Sequence, residues 1–154
     1  MSIRTGDSVQ GFSLPARPGE MIDLAECIGT EKVVLLFFPL SFSPVCTDEF
    51  CAIRDDWSAY ADLGAKVFGI SIDSPFVTAK FAEELGLPFP LLSDMNRDVC
   101  RMFDVLHEDL FGMRDVAKRS VFVIDEGGSV VYESVSDDPK VQVDFEAIRS
   151  ALGS

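Results

Sequence analysis

No two cysteines in this chain are separated by two residues. Four are present, Cys27, Cys46, Cys51 and Cys100. Without a C-x-x-C pair the chain has neither a zinc-ribbon site nor the simple dithiol of a disulfide-exchange protein. Histidine is reduced to His107 alone. A metal site joining it to Cys46 and Cys51 lacks any standard ligand spacing, and a Cys–His nucleophile pair would rest on this one residue, in a stretch that reads as a loop. Positive charge is scarce: 13 Lys and Arg stand against 26 Asp and Glu, a net charge of -13. That argues against nucleic acid and anionic membrane surfaces as partners. High acid with few lysines suits a protein that stays soluble in concentrated salt, and full stability in dilute buffer would count against that reading. The longest apolar run, Val33 to Leu40, is strand-sized and not membrane-spanning. The first residues lack the basic-then-apolar pattern of a secretory leader. The expected location is the cytoplasm.

What is present is a globular composition, 47% hydrophobic over 154 residues, expected to form one domain over 1–154. Phe12–Pro15 and Met21–Leu24 read as short extended pieces. Val33–Phe38 reads as a buried strand because it is short, continuous and apolar. Ser43-Pro44 supplies an N-cap and a first helical position, and the helix is expected to run to about Leu63. Val67–Ile72 is a second buried strand. A helix follows from Ser74-Pro75 to Leu85, ended by Gly86. Phe89–Leu92 is a short strand, and Asp94 caps a helix over Arg97–Phe103. Ser120–Asp125 and Ser129–Ser134 form a hairpin around Glu126-Gly127-Gly128. Val143–Leu152 is a closing amphipathic helix. The order predicts an α/β fold, a central mixed sheet flanked by helices, with its last strands antiparallel.

The chemistry concentrates in Pro39-Leu-Ser-Phe-Ser43-Pro-Val-Cys46-Thr-Asp-Glu49-Phe-Cys51. The strand before it and the helix after it put Cys46 in a first helical turn. Free N–H groups and the helix dipole favour an anion there, so this placement is expected to lower the thiol's pKa. A nearby cation would help more. Arg119, at the entry to a strand, is the main candidate; Arg54 and Arg114 are weaker ones. Glu49 lies one helical turn after Cys46 and suits the holding of an arginine fork. Ser43 reads either as the N-cap or as a hydroxyl that touches thiolate and substrate; both hold only if the hydroxyl swings off the backbone. Pro39 reads as a strand terminator or as a lid that keeps water from the thiolate.

The pattern Pro39-x-x-x-Ser43-x-x-Cys46, with Thr47 and Glu49 behind it and Arg119 before a later strand, resembles the active-site motif of the peroxiredoxins. Serine stands at 43 where that motif usually has threonine. The resemblance implies a thioredoxin-like fold and thiol-dependent reduction of peroxides with no bound cofactor. It makes Cys46 the peroxidatic cysteine, with Pro39, Ser43 and Arg119 positioning the peroxide and stabilising the developing charge. The product is a sulfenic acid. The Cys46-x4-Cys51 spacing resembles the bacterioferritin-comigratory branch, in which the second cysteine resolves the first. Five residues on an ideal helix separate Cα atoms by on the order of 8 Å, beyond the usual disulfide reach, so the first turns must unwind.

Leu91-Leu-Ser-Asp94 and Ser136-Asp-Asp-Pro-Lys140 resemble instead the one-cysteine alkyl hydroperoxide reductases, which use an external thiol. Cys51 would then be a packing residue, as Cys27 is expected to be; Cys100 reads as a core position or an alternative resolving residue. The implied reductant is thioredoxin or a glutaredoxin-like protein, and the implied assembly a homodimer through the active-site loops, with monomers also known in the comigratory branch. Phe37, Phe38, Phe68 and Phe122 read as core, and Phe42, Phe50 and Phe111 as an entrance or subunit contact. Two other classes share some of these features. A thiol–disulfide oxidoreductase would reduce insulin; a redox sensor or holdase would consume peroxide only slowly and substoichiometrically.

Overall fold

Side chains alternate across β3 (Lys32–Phe37). Val33, Leu35 and Phe37 point into one apolar core, while Val34, Leu36 and Phe38 point into another on the opposite face. A strand buried on both faces needs this unbroken apolar run, and it sits at the centre of a five-stranded sheet. The computed structural model describes residues 2–153; Met1 and Ser154 lie outside the described residues. The sheet order is β5–β4–β3–β8–β9, with β4 (Ala65–Ser71), β5 (Leu91–Ser93), β8 (Ser120–Ile124) and β9 (Val130–Val135). β4 and β5 run parallel to β3 and to each other, and β8 and β9 complete the sheet in antiparallel fashion. This is the mixed sheet the sequence predicts.

α1 (Pro44–Asp55), α2 (Trp57–Asp62), α3 (Pro75–Leu85) and α5 (Phe145–Leu152) contribute Phe50, Ile53, Tyr60, Phe81, Ile148 and Leu152 to one core. α4 (Asp98–Phe103) packs Val99, Cys100 and Phe103 into the other. The single helix expected from Ser43 to Leu63 is in fact two. Asp56 leaves helical geometry (φ -113, ψ 27), its carboxylate pairs with Arg149 at 3.4 Å, and Trp57 stacks on Phe89. The N-terminal extended pieces pair as an antiparallel hairpin, β1 (Ser13–Arg17) with β2 (Glu20–Asp23). β4, β5 and β9 are shifted by one or two residues from the expected spans. The expected loop at His107 is a short strand, β6 (Leu106–His107), paired with β7 (Val116–Ala117). Asp94 does cap α4, from a distance: its carboxylate accepts the N–H groups of Val99 and Cys100 at 3.3 and 2.7 Å.

Gly69 in β4 lies directly under α1. A Cβ there would sit 2.4 Å from Leu91 Cδ2 and 3.1 Å from the Phe50 ring. Because Leu91 and Phe50 are both buried, Gly69→Ala is expected to cost about 1–3 kcal/mol by overpacking. A urea-unfolding midpoint unchanged from wild type would refute this.

Candidate active site

The chain leaves β3 through buried Pro39, turns at Phe42 with a positive φ of 69°, and enters α1 at Ser43. Ser43 has the extended backbone of an N-cap (φ -76, ψ 151) but makes no side-chain cap bond. Its hydroxyl donates to the Leu40 carbonyl at 2.8 Å and also reaches the Cys46 sulfur. The hydroxyl therefore turns from the first-turn N–H groups to the Leu40 carbonyl, and Ser43 keeps the backbone of an N-cap without its side-chain bond. The Thr47 hydroxyl donates to the Ser43 carbonyl at 2.9 Å and so closes the first turn. Cys46 is the third residue of α1 and fully buried.

Arg119, two residues beyond β7 and directly before β8, carries its guanidinium under the start of α1. Nη2 donates to Cys46 Sγ at 3.1 Å, Nη1 to Glu49 Oε1 at 2.5 Å, and Nη2 and Nε to the Pro139 carbonyl at 3.2 and 3.3 Å. Both partners of the Arg119–Glu49 pair are buried, with 2% and 0% of their side chains exposed. A fork that contacts sulfur, carboxylate and carbonyl together is a geometry only arginine supplies.

The thiol's pKa departs from the sequence expectation. Burial has the largest effect and pushes Cys46 up; Arg119, the Ser43 hydroxyl and the backbone of Leu40 pull it down, and the charge of Glu49 pushes it up again. The net direction is upward. The helix start acts as expected in kind, but complete removal of the sulfur from water outweighs it. Burial also pushes Glu49 up to about 7 despite Arg119. Among the described residues its second oxygen, Oε2, has no hydrogen-bond partner.

Above this pair lies a cavity of about 170 Å³ lined by Pro39, Leu40, Ser43, Pro44, Val45, Leu110, Phe111, Arg119, Pro139 and Lys140. Its walls are largely apolar, and Arg119, Ser43 and Lys140 are its polar lining residues. Larger clefts lie elsewhere, between β2, α2, β4 and Pro88–Pro90, away from the sulfur. Phe42 and Phe111 are 50% and 77% exposed beside the cavity region, whereas Phe50 is wholly buried against Phe38, Phe81 and Phe89, which corrects its expected place at an entrance.

The remaining candidates separate cleanly. Cys51 is half-buried on the same helix as Cys46. Cys100 and Cys27 belong to the core on the other face of the sheet. Cys100 also shares a hydrogen bond with Asp94, and burial with that neighbouring carboxylate pushes its pKa far up. It is therefore placed as a core thiol. Arg54 donates to Asp55 and to the Leu85 carbonyl, at 2.9 and 2.6 Å, and its charge lies near Cys51 instead of Cys46. Arg114 is exposed. His107 is buried, its pKa lowered by burial and by Lys118, and it is not among the groups acting on Cys46. Among the described residues no cluster of His, Cys, Asp and Glu is arranged to hold a metal, and no helix is long and apolar enough to cross a membrane. The sequence missed Pro139, Asp73 and Gln142; the polar run Ser71-Ile-Asp73-Ser74 after a buried strand was the one available signal.

A buried cysteine at a helix start, held by an arginine fork on a mixed five-stranded sheet, defines a thiol peroxidase on a thioredoxin-like fold. The chain belongs to the AhpC/TSA family, whose model matches residues 5–133. Within it the protein is a peroxiredoxin of the Bcp type. It is 40% identical to a putative peroxiredoxin bcp of Coxiella burnetii over 94% of this chain and 93% of that one. The crystal structure of peroxidoxin BcpB from Mycobacterium tuberculosis superposes with a TM-score of 0.85 at 34% identity, covering 97% of this chain and 96% of that one. The bacterioferritin comigratory protein of Xanthomonas campestris, described for its alkyl peroxide reduction activity, superposes with a TM-score of 0.78 at 29% identity, over 95% and 97% of the two chains.

Proposed function

We propose that the whole chain acts as one catalytic domain that reduces hydrogen peroxide and organic hydroperoxides at Cys46, with Cys51 as the resolving thiol. The observation that carries this is the Arg119–Cys46 contact of 3.1 Å, made by an arginine that also lines a small, largely apolar cavity. The Cys46 sulfur attacks the terminal peroxide oxygen. The S–O bond forms as the O–O bond breaks, and the leaving alkoxide or hydroxide takes up the thiol's proton to depart as alcohol or water. Charge develops on the oxygens beside Arg119, Ser43 and the first-turn N–H groups, where fixed dipoles need no reorganisation. Pro39 and its neighbours keep water from the sulfur, and Glu49 aims the fork. The apolar walls suit an organic tail, and the alkyl peroxide activity described for the Xanthomonas relative supports that substrate class.

In the second step the Cys51 sulfur attacks the sulfenic sulfur of Cys46. The S–S bond forms, the S–OH bond breaks, and hydroxide leaves with the Cys51 proton as water. Because α1 runs unbroken through both cysteines, their Cα atoms stand about 8 Å apart and the first turns must unwind. A cytoplasmic thioredoxin or glutaredoxin-like protein then reduces the disulfide. The exposed Phe42 and Phe111 support a homodimer that packs through the active-site loops; a monomer would leave them in water. The intact helix also favours a second reading, in which an external thiol meets the sulfenic acid directly.

Intact mass after one equivalent of hydrogen peroxide, with free thiols then blocked, separates the two. Loss of two hydrogens with Cys46 and Cys51 protected is the expected result. Cys51→Ser should instead gain one oxygen on Cys46. Oxygen retained on wild-type Cys46 with the other thiols still reactive would establish the external-thiol route. An unchanged mass would sink the peroxidase reading.

A further inference from the structure

α1 is fastened unevenly. Its second half is held by Phe50 and Ile53 in the core and by Arg54, which donates to the last turn of α3 at Leu85. Its first half buries Cys46 and Glu49 but carries exposed Pro44 and Asp48 and half-buried Val45 and Thr47. Apart from the packing of Cys46 and the Arg119 fork, this end is held through its backbone. The Ser41 N–H donates to Asp73 Oδ2 at 2.8 Å, and Gln142 Nε2 donates to the Val45 carbonyl at 3.2 Å.

Asp73 is itself rigidly mounted. The same Oδ2 accepts the Ser71 hydroxyl at 2.8 Å, the Asp73 N–H donates to Ser71 Oγ at 3.2 Å, and the Asp73 carbonyl accepts the Ser93 hydroxyl at 2.5 Å. Ser71 and Ser93 are the last residues of β4 and β5 and are buried. The turn before Cys46 is thereby tied to the edge of the central sheet by a charged acceptor.

We propose that Asp73 and Gln142 are positioning residues that pin the Cys46 end of α1 and set the rate at which Cys51 reaches oxidised Cys46. This rests on the Cys51 reading above. Neither residue acts on the reacting sulfur. Gln142 holds the Val45 carbonyl in the turn that must unwind, and Asp73 holds Ser41 in the turn that leads into it. A hydrogen bond to a carboxylate is of the strength that changes an opening equilibrium roughly tenfold or more. Gln142, a neutral donor, contributes less.

The test uses full-length Asp73→Ala, Asp73→Asn and Gln142→Ala. Two quantities are read: amide hydrogen exchange of residues 45–50 in the reduced protein, and the rate of Cys46–Cys51 disulfide formation in single turnover. Asp73→Ala should speed both by about tenfold and leave α3 exchange unchanged, and Gln142→Ala should speed both by about threefold. Asp73→Asn keeps an acceptor oxygen and should return most of the way to wild type. The proposal is overturned if neither quantity moves beyond twofold, if exchange rises across the whole chain, or if disulfide formation does not follow exchange. A wild-type protein that forms no disulfide would fail the Cys51 reading instead, and the pinning would then stand or fall on exchange alone.

Discussion

Arg119→Met should lower the second-order rate of Cys46 oxidation by about 10²–10³, the loss typical when a preorganised donor is removed from developing charge. Methionine fills similar space but gives up every contact of the fork: sulfur, carboxylate and the Pro139 carbonyl. Arg119→Lys separates charge from geometry. One ammonium cannot meet Cys46, Glu49 and Pro139 together, so lysine should recover little of the lost rate. Stopped-flow fluorescence of Trp57, the sole tryptophan, offers a way to follow the reaction. A methionine variant within threefold of wild type would remove Arg119 from the mechanism.

The second large effect concerns stability and pH. Burial raises Glu49 from 4.5 to about 7 in the folded protein. The native state therefore holds this proton more tightly than the unfolded chain does. The stability so contributed is fully present below about pH 4.5, and is lost as pH rises through about 7. The shift corresponds to about 3 kcal/mol between the two limits. Glu49→Gln cannot ionise and should lack this decline. The difference between the wild-type and Glu49→Gln unfolding free energies should therefore grow in favour of the variant from pH 5 to pH 8. Parallel curves over that range would show that the buried carboxyl does not titrate there.

How far the sequence carried this picture depends on what each feature rests on. The strands at Val33 and Ser120 were legible because burial on both faces leaves an unbroken apolar run. The α3 boundaries were legible because Ser74, Pro75 and Gly86 are local signals, and Gly86 does adopt the left-handed cap. The break at Asp56 was not, because it involves Arg149, far along the chain. At the site, Glu49 followed from helical spacing, Ser43 from the cap position before Pro44, and Arg119 from its place before a strand. The upward push on Cys46 was illegible, since it comes from everything packed over the sulfur. Asp73 and Gln142 touch the active-site segment from 32 and 97 residues away and bond to main-chain atoms, which leave no pattern in side-chain identity.

One guanidinium faces two acids at this site. Cys46 and Glu49 compete for Arg119, and each negative charge makes the other harder to form. Their titration is anticooperative and belongs to the pair. Alkylation of Cys46 should follow a pH profile broader than that of a single thiol. Attack on peroxide needs the thiolate, and forming it beside an ionised Glu49 sets two negative charges against one guanidinium. With Glu49 raised to about 7, the carboxyl's own proton leaves the guanidinium to the thiolate, so a buried group that never touches the peroxide bears on how readily Cys46 ionises.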